Sequence, residues 1–95
     1  EKLGDGKYQL SGVLSFDTVP GVLEYGTRLF SEGDALEVDL SRVTHSDSAG
    51  VALLVEWVGE AERNNRAIRF LNIPDQMLAI ARVSSLDHIL PLSRD

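Results

Sequence analysis

Along the first third of the chain, apolar residues fall in two different rhythms. Tyr8, Leu10, Gly12 and Leu14 alternate roughly with polar residues after the turn-forming Gly4-Asp5-Gly6, which predicts a short hairpin. From Asp17 the period lengthens: Val19, Val22, Leu23, Leu29 and Phe30 recur at helical spacing, with Asp17 or Thr18 as N-cap and Gly33 as stop. Gly26 weakens this helix without forbidding it. Leu36, Val38 and Leu40 then alternate with Glu37 and Asp39, predicting a half-buried strand that ends near Leu40. The cap-forming, polar stretch Ser41 to Ser48 reads as a loop.

The clearest helical pattern runs from about Ser48 to Asn64, with an apolar stripe of Val51, Leu54, Val55, Val58 and Ala61. Leu53 and Trp57 flank that stripe and are expected as surface apolar groups. Asn64-Asn65 ends the helix, Ala67 to Leu71 reads as a strand, and Pro74-Asp75 opens a third helix carrying Met77, Leu78, Ile80 and Ala81. Ile89-Leu90 forms a short apolar tail, and Ser93 to Asp95 are expected to be loose. The order is hairpin, helix, strand, helix, strand, helix. A strand-helix-strand unit from Leu36 to Leu71 requires parallel pairing through a right-handed crossover. The expected fold class is α/β: one domain over residues 1–95, a small mixed sheet and about three helices.

Composition narrows what such a domain can do. A length of 95 residues leaves no room for a second domain, since domains run from about 50 to 250 residues. Nine Lys and Arg against 15 Asp and Glu give a net charge of −6, with no basic cluster, so nucleic acid and anionic membrane surfaces are not expected as direct partners. There is no cysteine, which removes disulfides, thiolate metal sites and cysteine nucleophiles. No apolar run is longer than Val51 to Val55, which is far short of the roughly 18 to 20 residues of a membrane span. A first residue of Glu1 suggests that the native chain begins earlier.

His45, Asp47 and Ser48 contain the residue types of a hydrolytic triad, but triad members converge from separated elements and no G-x-S-x-G elbow surrounds Ser48. No catalytic residue is assigned. His45 and His88 lack ligand spacing, so no metal is expected, and no glycine-rich phosphate loop occurs. What remains is a serine at a helix N-terminus. In the structural reading Asp47 or Ser46 caps the helix and Ser48 merely fills its first turn. In the functional reading Ser48 presents an exposed hydroxyl beside Ala49-Gly50, as a contact point or a phosphorylation switch.

The run from Asp39 through Ser46-Asp47-Ser48-Ala49-Gly50 to Leu54 resembles the signature of STAS domains, in which a strand leads through an aspartate-serine or aspartate-threonine pair and a glycine into a helix. The element order is similar across nearly the whole chain. The stretches Asp39 to Val43 and Ala52 to Leu54 are most similar to the MlaB branch, the small cytoplasmic subunit of phospholipid ABC transporters of Gram-negative bacteria. The other large branch, the anti-sigma factor antagonists, usually carries Asp-Ser-Ser-Gly; here Ala49 takes the third place.

The resemblance implies that Ser48 stands where the family places either its phosphorylated residue or a hydroxyl needed for contact with the ATPase subunit MlaF. It implies a non-enzymatic module without cofactor, cytoplasmic and peripheral to the inner membrane. Its partner would be an MlaF-type ABC ATPase, with the permease and substrate-binding subunits reached indirectly, in a system maintaining outer-membrane lipid asymmetry. The alternative is an anti-sigma factor antagonist switched by phosphorylation of Ser48. The expected docking surface comprises Ser46, Asp47, Ser48, Ala49, Gly50, Leu53 and Trp57.

Overall fold

A computed structural model describes residues 2–4, 6–29 and 35–93. The elements are β1 (Lys2–Gly4), β2 (Lys7–Leu14), α1 (Val19–Leu29), β3 (Ala35–Ser46), α2 (Ser48–Arg63), β4 (Ala67–Leu71), α3 (Asp75–Val83) and β5 (Leu92–Ser93). The strands lie in sequence order in one sheet. β1 is antiparallel to β2, and every later pairing is parallel. Each helix connects neighbouring parallel strands, and because the strand order always advances in one direction, right-handed crossovers put all three helices on one face. α2 lies in the middle of that layer, touching α1 and α3 and covering β3 and β4.

The expected α/β mixed sheet is therefore the observed one, and its faces follow from the strand periodicity. Leu36, Val38 and Leu40 of β3 and Ile68 and Phe70 of β4 point under the helices and are buried. Their neighbours form an uncovered polar face, on which Glu37 pairs with Arg69 across β3 and β4. Gly6 closes the hairpin at φ +73°; a Cβ there would overlap the Ala35 carbonyl, and its own carbonyl accepts from Glu37 N–H at 2.6 Å.

On the polar face, the half-buried Asp39 collects donors. Burial pushes its carboxyl up, but hydrogen bonds from the Ser41 backbone N–H (2.9 Å) and hydroxyl and from the Asn72 and Gln9 amides (3.4 Å each) outweigh burial and hold it below its ordinary value. A carboxyl depressed in the folded state stabilises the fold above its unfolded pKa, and that contribution disappears as pH falls through the folded value. Asp39→Asn should accordingly flatten the acid side of a melting-temperature profile below the ordinary carboxylate range. Parallel acid slopes for the two proteins would contradict this role.

Three expectations are corrected. Ser41 to Ser46 is strand, not loop: it hydrogen-bonds to β2 with Ser11 opposite Arg42, Gly12 opposite Val43, Val13 opposite His45 and Leu14 opposite Ser46. Two register shifts interrupt this pairing, and burial falls on Leu40, Val43 and Ser46 rather than on every second residue. β4 pairs no further than Asp39, so this half of β3 is paired along one edge only. Ser93 is not loose, since it pairs with Leu71.

The third correction concerns Leu53 and Trp57, which are each 1% exposed. The buried side of α2 is centred on Gly50, Leu54, Trp57 and Ala61, and Val55 and Val58 of the predicted stripe are only half-buried. A helix wedged between two others over a sheet buries a wide arc, and here α1 covers the Trp57 side. The predicted α1 stop, Gly33, and Phe30 lie outside the described residues.

Candidate functional site

The corner that the sequence singles out lies where β3 hands over to α2. Asp47 leaves the strand in extended conformation (φ −99°, ψ −168°) and is the N-cap: its Oδ1 accepts from Ala49 N–H at 2.8 Å. Its Oδ2 accepts from the backbone N–H of Phe16 at 3.4 Å, and its own N–H donates to the Leu14 carbonyl at 3.1 Å. One aspartate thus ties the β2–α1 loop to the start of α2. Its carbonyl in turn accepts from the Ser46 hydroxyl (2.9 Å) and from Gly50 N–H (3.1 Å).

Because Asp47 supplies the cap, the hydroxyl of Ser48 is not needed for it, and Ser48 is exposed. Ser46 does the opposite. It is 1% exposed, and its backbone N–H donates to Gln76 Oε1 of α3 at 3.3 Å. Ala49 and Gly50 are buried as well. Of the seven residues expected at the docking surface, the structure therefore brings Asp47 and Ser48 to solvent; Ser46, Ala49 and Gly50 shape the corner from beneath, and Leu53 and Trp57 belong to the core. His45 is exposed in β3 opposite Val13, not in a loop.

Gly50 explains why the motif needs a glycine. A Cβ there would overlap the Ser46 hydroxyl and lie 3.0 Å from Leu14 Cβ and 3.2 Å from Ser46 Cβ. Alanine would favour the helix by about 1 kcal/mol, whereas overpacking costs about 1–3 kcal/mol. Leu14 Cβ is fixed to the backbone and cannot swing away, so the overlap should win. Gly50→Ala should lower the melting temperature, and adding Ser46→Ala should restore part of the loss. A double mutant no more stable than Gly50→Ala would refute the steric account.

Sequence reasoning missed Phe16 and Val13, which are 73% and 47% exposed beside this corner. The signal was present: Phe16 stands in the Ser15-Phe16-Asp17-Thr18 turn, outside both apolar rhythms, so it has no core face to join.

A strand ending in an N-capping Asp47, an exposed hydroxyl and a glycine pressed against the sheet make this a STAS-type corner. The family model described as "Mlab, STAS domain" matches residues 2–91, and the chain belongs to the STAS family. Within it, the matching description is that of the MlaB branch. This is a family of regulatory and binding proteins rather than enzymes. No curated protein matches the chain.

Among solved structures, the anti-sigma factor antagonist SpoIIAA in its unphosphorylated form is similar, with a TM-score of 0.78 and 18% identity over 100% of this chain and 84% of that one. A crystal structure of Mglu is similar with a TM-score of 0.58 and 22% identity over 80% of this chain and 19% of that one. At such identities these likenesses concern the fold alone. Among the described residues, no helix is long and apolar enough to cross a membrane.

Proposed function

We propose that this chain is the non-enzymatic STAS subunit that binds and regulates the MlaF-type ATPase of a phospholipid ABC transporter maintaining outer-membrane lipid asymmetry. It docks through the corner from Ser46 to Gly50, with Asp47 and Ser48 as the contacting groups and Ser46, Ala49 and Gly50 as their support. The observation that carries this reading is an exposed, unspent hydroxyl at the start of α2, in a chain whose family description is that of MlaB. Such a subunit acts by differential binding: it favours one conformation or assembly state of the ATPase only as far as it binds that state more tightly. The permease and substrate-binding subunits are reached through the ATPase. This places the chain in the cytoplasm, peripheral to the inner membrane.

A second reading is favoured by the likeness to SpoIIAA: an anti-sigma factor antagonist whose Ser48 is phosphorylated by a serine kinase. The same exposed hydroxyl serves it. Calorimetric titration of the purified chain against the purified MlaF-type ATPase separates the two. Saturable binding at micromolar or tighter affinity is the expected result. Failure to bind, together with phosphate incorporation at Ser48 by a serine kinase, would transfer the protein to the signalling branch.

A further inference from the structure

Phe16 is a large aromatic side chain 73% exposed on a loop that the structure holds still. The Thr18 hydroxyl accepts from Ser15 N–H at 2.9 Å and donates to the Val13 carbonyl at 2.9 Å, while Ser15 O accepts from both Thr18 N–H (3.1 Å) and Val19 N–H (2.9 Å). From the other side, Asp47 Oδ2 holds the Phe16 N–H. The backbone freedom that a mobile loop would lose on binding has here been lost already on folding, which is the preorganisation that makes an aromatic residue an effective interface anchor.

The surroundings of Phe16 restrict what could cover it. Val13, three residues earlier, is also exposed, and the exposed Asp17 and the half-buried Asp47 flank Phe16. Residues 13–18 and 44–52 contain no Lys or Arg, and the nearest cation in register is Arg42, opposite Ser11. With a chain charge of −6 added, an acidic partner surface is excluded. Val83 of α3 is more exposed, at 88%, but it stands at the far end of α3 from Gln76, the residue of that helix that bonds Ser46.

We infer that Phe16 inserts into an apolar pocket of the ATPase bordered by Lys or Arg side chains that face Asp17 and Asp47. This rests on the reading that the ATPase is the partner, and it extends the docking surface from the start of α2 to the β2–α1 loop. Asp47 is the positioning residue of the assembly: one carboxylate oxygen caps the helix that carries Ser48, and the other holds Phe16 beside it.

The test is titration of the purified MlaF-type ATPase with wild type, Phe16→Ala, Phe16→Leu and Asp17→Lys, each also melted alone. Phe16→Ala should weaken binding about thirtyfold, the loss typical of an anchoring aromatic. Phe16→Leu should recover most of it, and both variants at position 16 should melt like wild type because residue 16 is outside the core. Asp17→Lys should weaken binding about fivefold at low salt and reduce its salt dependence. A wild type that binds, with Phe16→Ala binding within twofold of it, overturns this inference and leaves the ATPase reading intact. A wild type that does not bind the ATPase overturns both, and a Phe16→Ala protein with a lowered melting temperature overturns the assignment of Phe16 as a free anchor.

Discussion

Trp57→Ala should remove a large share of the domain's stability. A whole domain of 95 residues is worth only about 5–14 kcal/mol, and removing a buried Trp costs about 3–5 kcal/mol. Trp57 is 1% exposed, and its indole packs closely against Gly26 of α1. A Cβ at Gly26 would stand 2.5 Å from Cζ2 and 2.7 Å from Cε2, so α1 can approach only because that position is bare. The same bareness prevents repair, since Gly26 has no side chain to lean into the cavity. Leu53→Ala, at an equally buried position, should cost about 2–5 kcal/mol. Urea or thermal melts monitored by circular dichroism measure both, and wild-type melting of either variant would return that residue to the surface. Loss of ATPase binding in these variants would report unfolding, so neither is a probe of the interface.

The elements were legible where one local rule governs a segment. Leu36, Val38 and Leu40 alternate because the sheet is covered on one face only, and Ala67–Leu71 is a strand in both readings. Residues Ser41 to Ser46 misled because their composition is that of a cap-rich loop, while their conformation is decided by pairing with β2, some thirty residues earlier in the chain. The inner face of α2 misled for a related reason. Counting apolar side chains weights Val55 and Val58 and gives nothing to Gly50, yet Gly50 marks the closest approach of the helix to Leu14 and Ser46. How far burial spreads around α2 depends on α1, which the helix's own pattern does not encode.

The same division runs through the site. The N-cap and the residue it frees are consequences of chemistry within three consecutive residues, so the sequence narrowed the cap to Asp47 or Ser46 and the structure selects Asp47. Phe16 reaches the corner through a hydrogen bond to Asp47 spanning 31 positions, which no local pattern predicts. Ser46 was the other cap candidate and an expected docking residue. The strand's final register turned it inward, where its hydroxyl serves the Asp47 carbonyl.

Ser48→Glu should abolish or severely weaken ATPase binding while leaving the isolated domain folded, and Ser48→Thr should bind nearly as wild type. Threonine keeps the hydroxyl and adds one methyl group at an exposed position. Glutamate brings a longer chain and a charge to a helix N-terminus, where the helix dipole favours it by about 0.3–1 kcal/mol. Repulsion from the adjacent Asp47 carboxylate offsets part of this, and both effects are screened by solvent in the free protein. In the complex the balance differs. Any cation that the partner turns toward Asp17 and Asp47 is already matched, so a third carboxylate enters the interface unpaired. Desolvating it costs several kcal/mol, against about 8 kcal/mol for an entire micromolar complex. Phosphoserine at this position would act through the same imbalance, with up to two charges instead of one. Titrating wild type, Ser48→Thr and Ser48→Glu against the ATPase gives the answer directly. Equal affinity for the glutamate variant would move the docking surface away from the start of α2, whatever Phe16 contributes beside it.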